Sequence, residues 1–163
     1  MTPKAAPRAA SFREASIADI RRLTLADTAA AAMVMRRSFD ERLPTFEALH
    51  TPDEDAAFVR DHLFPKVEMW GAFGPDLAGF IAFADGWIEQ FYILPEYQGH
   101  GLGRTLLAIP KSKFPELRLW TFQQNRSARQ FYERQGFVAI EHTDGRGNEH
   151  GQPDVLYRWE STE

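Results

Sequence analysis

The sequence predicts an α/β protein of the α+β type, with a mixed, mostly antiparallel sheet of about seven strands flanked by about four helices. Three apolar runs separated by the turns Gly74-Pro75-Asp76 and Asp85-Gly86 predict an antiparallel meander. A glycine-rich turn, a helix and another apolar run follow, and this order predicts a parallel strand–helix–strand unit. No repeat or linker interrupts the sequence, so residues 18–163 are predicted to form one domain.

The first 17 residues are rich in Ala, Arg and Pro and lack an apolar core. This composition is not that of a secretory signal. We interpret residues 1–17 as a flexible tail, and a misassigned start is the alternative.

Two helices are predicted after a first strand at residues 19–24, which is expected at the edge of the sheet. The first helix runs from about Ala26 to Phe39, with apolar positions at helical spacing. The second begins with Thr51-Pro52-Asp53-Glu54, a capping hydroxyl followed by proline and acids, and ends near Leu63. Acidic residues on these helices either attract a cationic amine or form a solvated face.

The sheet and its remaining helices are expected after Pro65. A helix is predicted after Gly103, with an end or kink near Ile109, because Pro110 removes a hydrogen bond and clashes with the preceding turn. Another helix is predicted from Asn125 to Gln135, with Gly136 ending it. The predicted strands are residues 67–73, 77–84, 87–94, 117–122, 137–141 and 155–159.

Composition narrows the classes of function. The net charge of −4 and the pI of about 5.8 are not those of a basic, nucleic-acid-binding protein. No apolar run approaches the roughly 20 residues of a membrane span. The chain has no cysteine, which excludes disulfides, thiolate metal sites and a cysteine acyl-enzyme. We therefore expect no nucleic-acid or membrane partner and no metal, and we expect a cytoplasmic protein.

A glycine turn, Gln98-Gly99-His100-Gly101-Leu102-Gly103, precedes the third predicted helix. Helix N-termini present unpaired backbone N–H groups to anions, and glycine leaves room for a phosphate to approach them. The turn therefore predicts a pyrophosphate site. The dinucleotide fingerprint fails because its last glycine position holds Arg104 or Leu106, and the Walker pattern fails at the same two positions.

A second constellation lies at the predicted helix after Asn125. Positions seven apart share a helix face, so the side chains of Asn125 and Tyr132 are expected to line the same groove, with Ala128 between them. By themselves these residues are better explained by a helix cap and a core tyrosine than by a binding groove. The full pattern is N-x-x-A-x-x-F-Y-x-x-x-G-F, which covers residues 125–137.

The two patterns together resemble the GNAT superfamily of N-acetyltransferases. Q-x-x-G-x-G, with Gln98, Gly101 and Gly103, is similar to the acetyl-coenzyme A turn of that family, and the 125–137 pattern is similar to its second signature. The resemblance covers most of the chain and is weakest over residues 1–17. It implies acetyl-coenzyme A as cosubstrate and an unknown amine as acceptor.

The resemblance also implies roles for single residues. Backbone N–H groups of the turn are expected to bind pyrophosphate, with Gln98 framing the loop and the strand edge at 91–93 pairing with the pantetheine arm. Tyr132 is expected to be the acid that protonates the leaving thiolate, and it also contacts the coenzyme. The expected coenzyme-binding residues are Phe91, Tyr92, Ile93, Gln98, Gly99, His100, Gly101, Gly103, Arg104, Asn125, Ala128, Phe131 and Tyr132.

Glu89 is the candidate general base. Strand alternation places it on the same face as Trp87, Phe91 and Ile93, and a structural carboxylate is an equally good interpretation. A backbone N–H near Tyr92 or Ile93 is the expected donor to the acetyl oxygen.

The loop at residues 143–153 is expected either to line the acceptor site or to be a flexible hairpin connection. A metal site from His142, Asp144 and His150 lacks a recognised spacing and is not expected. The predicted activity is direct acetyl transfer to a primary amine in a ternary complex. The alternative is a non-catalytic acyl-coenzyme A-binding regulatory domain, and either protein is expected to be a monomer or homodimer.

Overall fold

A computed structural model describes residues 19–162, so the predicted tail at residues 1–17 lies outside the described residues. The strands are β1 (Asp19–Arg22), β2 (Glu68–Phe73), β3 (Leu77–Ala84), β4 (Trp87–Ile93), β5 (Glu116–Phe122), β6 (Val138–Thr143) and β7 (Asp154–Glu160). The helices are α1 (Thr28–Arg42), α2 (Pro52–Ala57), α3 (Leu102–Lys113) and α4 (Arg126–Arg134). A π-helical segment, Phe58–Leu63, continues α2, and short 3-10 turns span Leu25–Asp27 and Pro95–Tyr97.

The strands form one sheet in the order β1-β2-β3-β4-β5-β7-β6. Only β4 and β5 pair in parallel among the described strands. The predicted mixed, mostly antiparallel sheet of seven strands with four helices is confirmed. No helix within residues 19–162 has the length and apolarity that crossing a membrane requires.

Side-chain hydrogen bonds fix the start of the 3-10 turn that precedes α1 and the start of α2. Asp27 accepts hydrogen bonds from the backbone N–H and the hydroxyl of Thr24, and its carboxylate pairs with Arg21. This pairing holds the pKa of Asp27 down at about 2. The predicted start at Thr51 is confirmed, since Thr51 and Glu54 form a reciprocal capping box.

Of the end or kink predicted near Ile109, the end is wrong, because α3 continues through Pro110 to Lys113. The side chain of Pro110 is fully buried, so core packing offsets the hydrogen bond that proline cannot donate. The last turn is closed by Ser112, which donates to the carbonyl of Ile109, and by Phe114, which donates to that of Pro110.

Each face of the sheet carries its own hydrophobic core. One core packs α3 and α4 against the sheet and contains Ile81, Phe83, Leu106, Leu117 and Tyr157. The other core packs α1 and the α2 region against the opposite face and contains Ala31, Val59, Met69, Phe80 and Leu94. The sheet is therefore covered on both sides, and it has a break between two of its strands.

That break lies between β4 and β5. The two strands share one registered pair, Trp87 with Arg118, and no further pair is formed toward the end of β4. The edge of β4 from Ile88 to Ile93 is thus free of strand partners on this side, although its other edge pairs with β3. A divergence of this kind opens a cleft in the middle of the sheet.

Candidate active site

A cleft of about 650 Å³ follows the divergence of β4 and β5. This volume is suitable for a cofactor or drug-sized molecule. Four parts of the fold line it: the end of β4, the glycine turn with the start of α3, the end of β5, and one face of α4. The last turn of α1 and the loop before β7 close its other end.

The glycine turn forms one end of the cleft. Gly101 has φ of 83°, a left-handed conformation that favours glycine, and it caps α3. The first helical bond runs from the Thr105 N–H to the Gly101 carbonyl at 3.1 Å, so the three preceding N–H groups lack an intrahelical partner. A Cβ built on Gly99 or Gly101 meets nothing within 4 Å, so the space over the turn is open. These free donors and the positive end of the helix dipole suit an anionic group.

Other residues of the turn differ in their relation to the cleft. Gln98 donates from Nε2 to the carbonyl of Ile93 at 2.8 Å, which fixes the turn against the end of β4. Gly103 lies against α4, where a Cβ would come within 3.2 Å of the Phe131 ring. Arg104 lines the cleft and is exposed, whereas His100 is not among the lining residues.

The residues at the end of β4 line the cleft from two faces of the sheet. Phe91 packs on the α3–α4 side, with its ring centroid 6.0 Å from that of Phe131 and 6.4 Å from that of Tyr132. Tyr92 packs on the α1 side against Phe80, with ring centroids 5.9 Å apart. Burial, and then the charge of Asp55, raises the pKa of Tyr92 to about 12.

The start of α4 forms the opposite wall. Asn125 caps this helix, its side-chain oxygen accepting from the backbone N–H of Ala128 and the hydroxyl of Ser127, each at 3.3 Å. Asn125, Ala128, Phe131 and Tyr132 all line the cleft. The helix therefore brings the predicted second signature opposite the strand edge.

Tyr132 is the most buried ionisable group in the cleft wall among the described residues, with 8% of its surface exposed. Its hydroxyl makes no hydrogen bond to any side chain or backbone group within residues 19–162. Burial raises the pKa of Tyr132 above the ordinary tyrosine range, and the neighbouring Tyr92 raises it further. The phenol of Tyr132 is therefore neutral at physiological pH.

A partly buried polar network joins α4 to β7. The Tyr157 hydroxyl donates to Glu133 at 2.9 Å and accepts from Arg129 Nε at 3.0 Å. The Tyr157 ring lies behind Tyr132, with centroids 6.1 Å apart. This network fixes the helix that carries Tyr132, and no sequence pattern indicated it.

The strand alternation that predicted a common face for Glu89, Trp87, Phe91 and Ile93 is interrupted in the structure. A β-bulge lies at this point, because Ala82 pairs with Gln90 while Phe83 pairs with Ile88, which leaves Glu89 unpaired. Ile88 consequently shares the α3–α4 face with Phe91 and Ile93, and strand alternation does not extend across the bulge. Glu89 is exposed and lines the cleft, and it has no ion-pair or hydrogen-bond partner among the described side chains.

Phe39 and Phe122 line the cleft away from α4, and two further aromatic rings pack against them. Phe122 at the end of β5 contacts Phe39 of α1 and Phe46 of the α1–α2 connection, with ring centroids 6.1 and 4.9 Å apart. His150 packs against the same three rings at 5.1 to 5.5 Å. We call Phe39, Phe46, Phe122 and His150 the aromatic cluster.

The loop at 143–153 is held to the protein by specific contacts. Asp154 accepts from the Thr143 hydroxyl and from Asn148 Nδ2, and Asn148 Nδ2 also donates to the Gln152 carbonyl at 2.7 Å. Glu149 contacts the ring of His50 from the α1–α2 connection. Asn148 and Asp154 line the cleft, in keeping with the expectation that this loop borders a binding site. The His, Asp and Glu residues between 19 and 162 form no group of three or more that could hold a metal ion.

Sequence reasoning missed the lining residues of α1 and β5. They lie in segments without a recognisable motif, and only the pairing of β5 beside β4 brings them to the cleft. The principal ones are Ser38, Phe39, Arg42, Leu43, Trp120, Thr121 and Phe122.

Comparison with known proteins gives a family match in the part of the chain that builds this cleft. The family model "Acetyltransferase (GNAT) domain" matches residues 67–139, from the start of the meander to the strand after α4. The chain is also similar to "Peptidyl-lysine N-acetyltransferase YiaC" of Escherichia coli (strain K12), with 28% identity over 86 residues. That match covers 51% of this chain and 58% of the relative, so it spans less than two thirds of the relative's length.

Solved structures with the same fold cover nearly the whole chain. The apo form of YjaB from Escherichia coli has a TM-score of 0.72 and 24% identity, covering 86% of this chain and 96% of that one. The PaiA N-acetyltransferase of Thermoplasma acidophilum, solved with coenzyme A, has a TM-score of 0.64 and 24% identity, covering 88% and 98% of the two chains.

Proposed function

We propose that this chain, which belongs to the GNAT acetyltransferase family, transfers the acetyl group of acetyl-coenzyme A directly to a primary amine in a ternary complex. The observation that carries the proposal is the cleft between β4 and β5. It is lined by a glycine turn with open N–H groups, by the buried Tyr132 and by the aromatic side chains of Phe39 and Phe122. Direct transfer is favoured because the chain has no cysteine that could carry an acetyl group.

The cleft residues fit acetyl-coenzyme A. The open N–H groups at the start of α3 are suited to the pyrophosphate, with Gly99, Gly101, Gly103 and Arg104 at this end. The unpaired edge of β4 offers backbone donors and acceptors to the amide-containing arm, and Asn125 faces it from α4. The PaiA structure in complex with coenzyme A supports this assignment by its shared fold. When bound, acetyl-coenzyme A supplies the acetyl group as a thioester.

The amine must lose a proton before it can attack, because free amines have pKa values from about 8 to 10.4. Glu89 is our candidate for removing that proton, directly or through water. It stands at the bulge where β4 turns away from β5, and it is the carboxylate lining the cleft that no described side chain neutralises. The other lining carboxylate, Asp154, already accepts hydrogen bonds from Thr143 and Asn148.

Tyr132 is proposed as the acid that returns a proton to the leaving sulfur. Its raised pKa keeps the phenol protonated over the whole range in which an amine can be deprotonated. A backbone N–H near Tyr92 or Ile93 is proposed to donate to the acetyl oxygen, because this strand edge has no partner in the sheet.

The test is a calorimetric titration with acetyl-coenzyme A, followed by measurement of thiol release over a panel of amines. The panel should contain small amines, amino acids, and peptides with a lysine side chain or a free N-terminus, since one relative is named for peptidyl lysine. We expect binding, and release with one class of amine. Binding without release from any amine would support the non-catalytic alternative, and lack of binding would contradict the assignment of the glycine turn. The cytoplasmic location and the state of monomer or homodimer stay predictions.

A further inference from the structure

Two polar side chains at the end of α1 have no role in the proposed transfer. Ser38 and Arg42 are four residues apart on the helix, so they lie on the same face, and both line the cleft. Phe39, which lies next to Ser38 in α1, and Phe122 of β5 line the same cleft, and their ring centroids are 6.1 Å apart.

Ser38 has an unsatisfied hydroxyl. The residue is only 3% exposed, and its Oγ is the buried side-chain polar atom without a hydrogen-bond partner in the described part of the chain. A buried hydroxyl in a helix normally bonds to a carbonyl of the preceding turn, and leaving it unpaired is costly. A hydroxyl kept unpaired in the wall of a cleft indicates a partner that arrives with a ligand.

Arg42 is unpaired in a different way. Two other arginines of the same helix are neutralised, Arg36 by Asp55 at 2.9 Å and Arg37 by Glu96 at 2.7 Å. Arg42 makes no ion pair or side-chain hydrogen bond with any residue between 19 and 162. A free guanidinium on the wall of a cleft is suited to a planar anion, which it can bind with two parallel hydrogen bonds.

We infer that Ser38 and Arg42 form a subsite for a carboxylate group of the amine acceptor. This inference rests on the proposed function. The acceptor is then an amine that also bears a carboxylate, such as an amino acid, with the apolar part of the molecule against Phe39 and Phe122. The hydroxyl and the guanidinium donate to the carboxylate oxygens, and Glu89 faces the amine. This arrangement separates the two charges of the acceptor along the cleft.

The experiment measures binding of product analogues, so it needs no turnover. Five N-acetyl amino acids (of glycine, leucine, phenylalanine, glutamate and lysine) and their five carboxamides are each titrated calorimetrically into the protein in the presence of coenzyme A. Each pair differs only in the charge of one group. We expect at least one acid to bind about tenfold more tightly than its amide.

Three variants test whether Ser38 and Arg42 cause the preference for the acid over its amide. Ser38→Ala and Arg42→Gln are expected to remove most of it while leaving the affinity for coenzyme A unchanged. Ser38→Ala should not unfold the protein, because it deletes a polar atom that has no partner. Arg60→Gln is the control, since Arg60 pairs with its neighbour Asp61 and does not line the cleft.

Three results would overturn the subsite: no pair with a preference for the acid, a preference that survives in both variants, or a loss of coenzyme A affinity in Arg42→Gln. The last result would mean that Arg42 serves the coenzyme. Failure of the proposed function has a different signature, which is the absence of thiol release with every amine. In that case the acid–amide comparison still reports on Ser38 and Arg42.

Discussion

The two ends of the cleft are built in opposite ways. The end proposed for the coenzyme is made mainly of backbone: the N–H groups before Thr105, the free edge of β4 and the capped start of α4. The end proposed for the acceptor is made of side chains from distant segments, among them Phe39 and Phe122, which the rest of the aromatic cluster packs against. Recognition by backbone requires glycines and caps at fixed spacings, whereas recognition by side chains requires only that the segments meet. Sequence motifs can therefore identify the first end. The residues of the second end can differ between proteins that act on different acceptors.

The largest predicted effect concerns Tyr132, which lies between the two ends. Tyr132→Phe removes the proton donor and keeps the ring, so kcat should fall by about 100-fold or more. The affinity for acetyl-coenzyme A, measured by calorimetry, should change little. An unchanged kcat would remove Tyr132 as the acid. A parallel loss of coenzyme affinity would instead show that the hydroxyl serves binding.

The next effect should be confined to the coenzyme end. Gly101→Val places a β-branched residue at φ of 83°, which costs about 1–2 kcal/mol or more and disturbs the start of α3. We expect the Kd for acetyl-coenzyme A to rise about tenfold or more.

Gly147→Val is the matched control for this change. Gly147 has no positive φ, and a Cβ there meets nothing within 4 Å. Equal Kd values for the two valine variants would contradict the role of the glycine turn.

A smaller effect should be confined to the acceptor end. Phe46 does not line the cleft, but it packs edge-on against Phe39 and Phe122, which do. Phe46→Ala removes these contacts, each worth about 0.5–1.5 kcal/mol, and should raise the KM for the amine severalfold. The Kd for acetyl-coenzyme A should stay the same. Phe58→Ala is the control, because Phe58 is a partly exposed phenylalanine outside the cleft. An equal KM for the two variants would contradict a specific role of the aromatic cluster in binding the amine.

The smallest effect concerns the contact between His50 and Glu149. Glu149, and to a lesser degree Glu54 and Asp55, raises the pKa of the His50 ring above its ordinary value. The contact is therefore fully present below the ordinary histidine pKa and is lost as the pH rises through the raised one. An NMR titration should show the His50 pKa falling in Glu149→Gln. The same pKa in both proteins would mean that the loop is not held at this point in solution.

The sequence was informative where local chemistry decides the structure. Gly101 and Asn125 perform the functions that their residue types indicate, a left-handed cap and a side-chain cap. The sequence misled where packing decides. Pro110 stays within α3 because its ring is buried, and the bulge at Glu89 changes which residues share a face. Ser38 and Arg42 could not be identified in advance, because what distinguishes them is the lack of a partner in the folded chain.

The most direct test of the account is the pattern of initial rates when acetyl-coenzyme A and the best amine of the panel are varied together. If the two ends of the cleft are occupied at the same time, double-reciprocal plots should intersect, as a ternary complex requires. Parallel lines would show that the acetyl group first passes to the protein, and this result would contradict direct transfer.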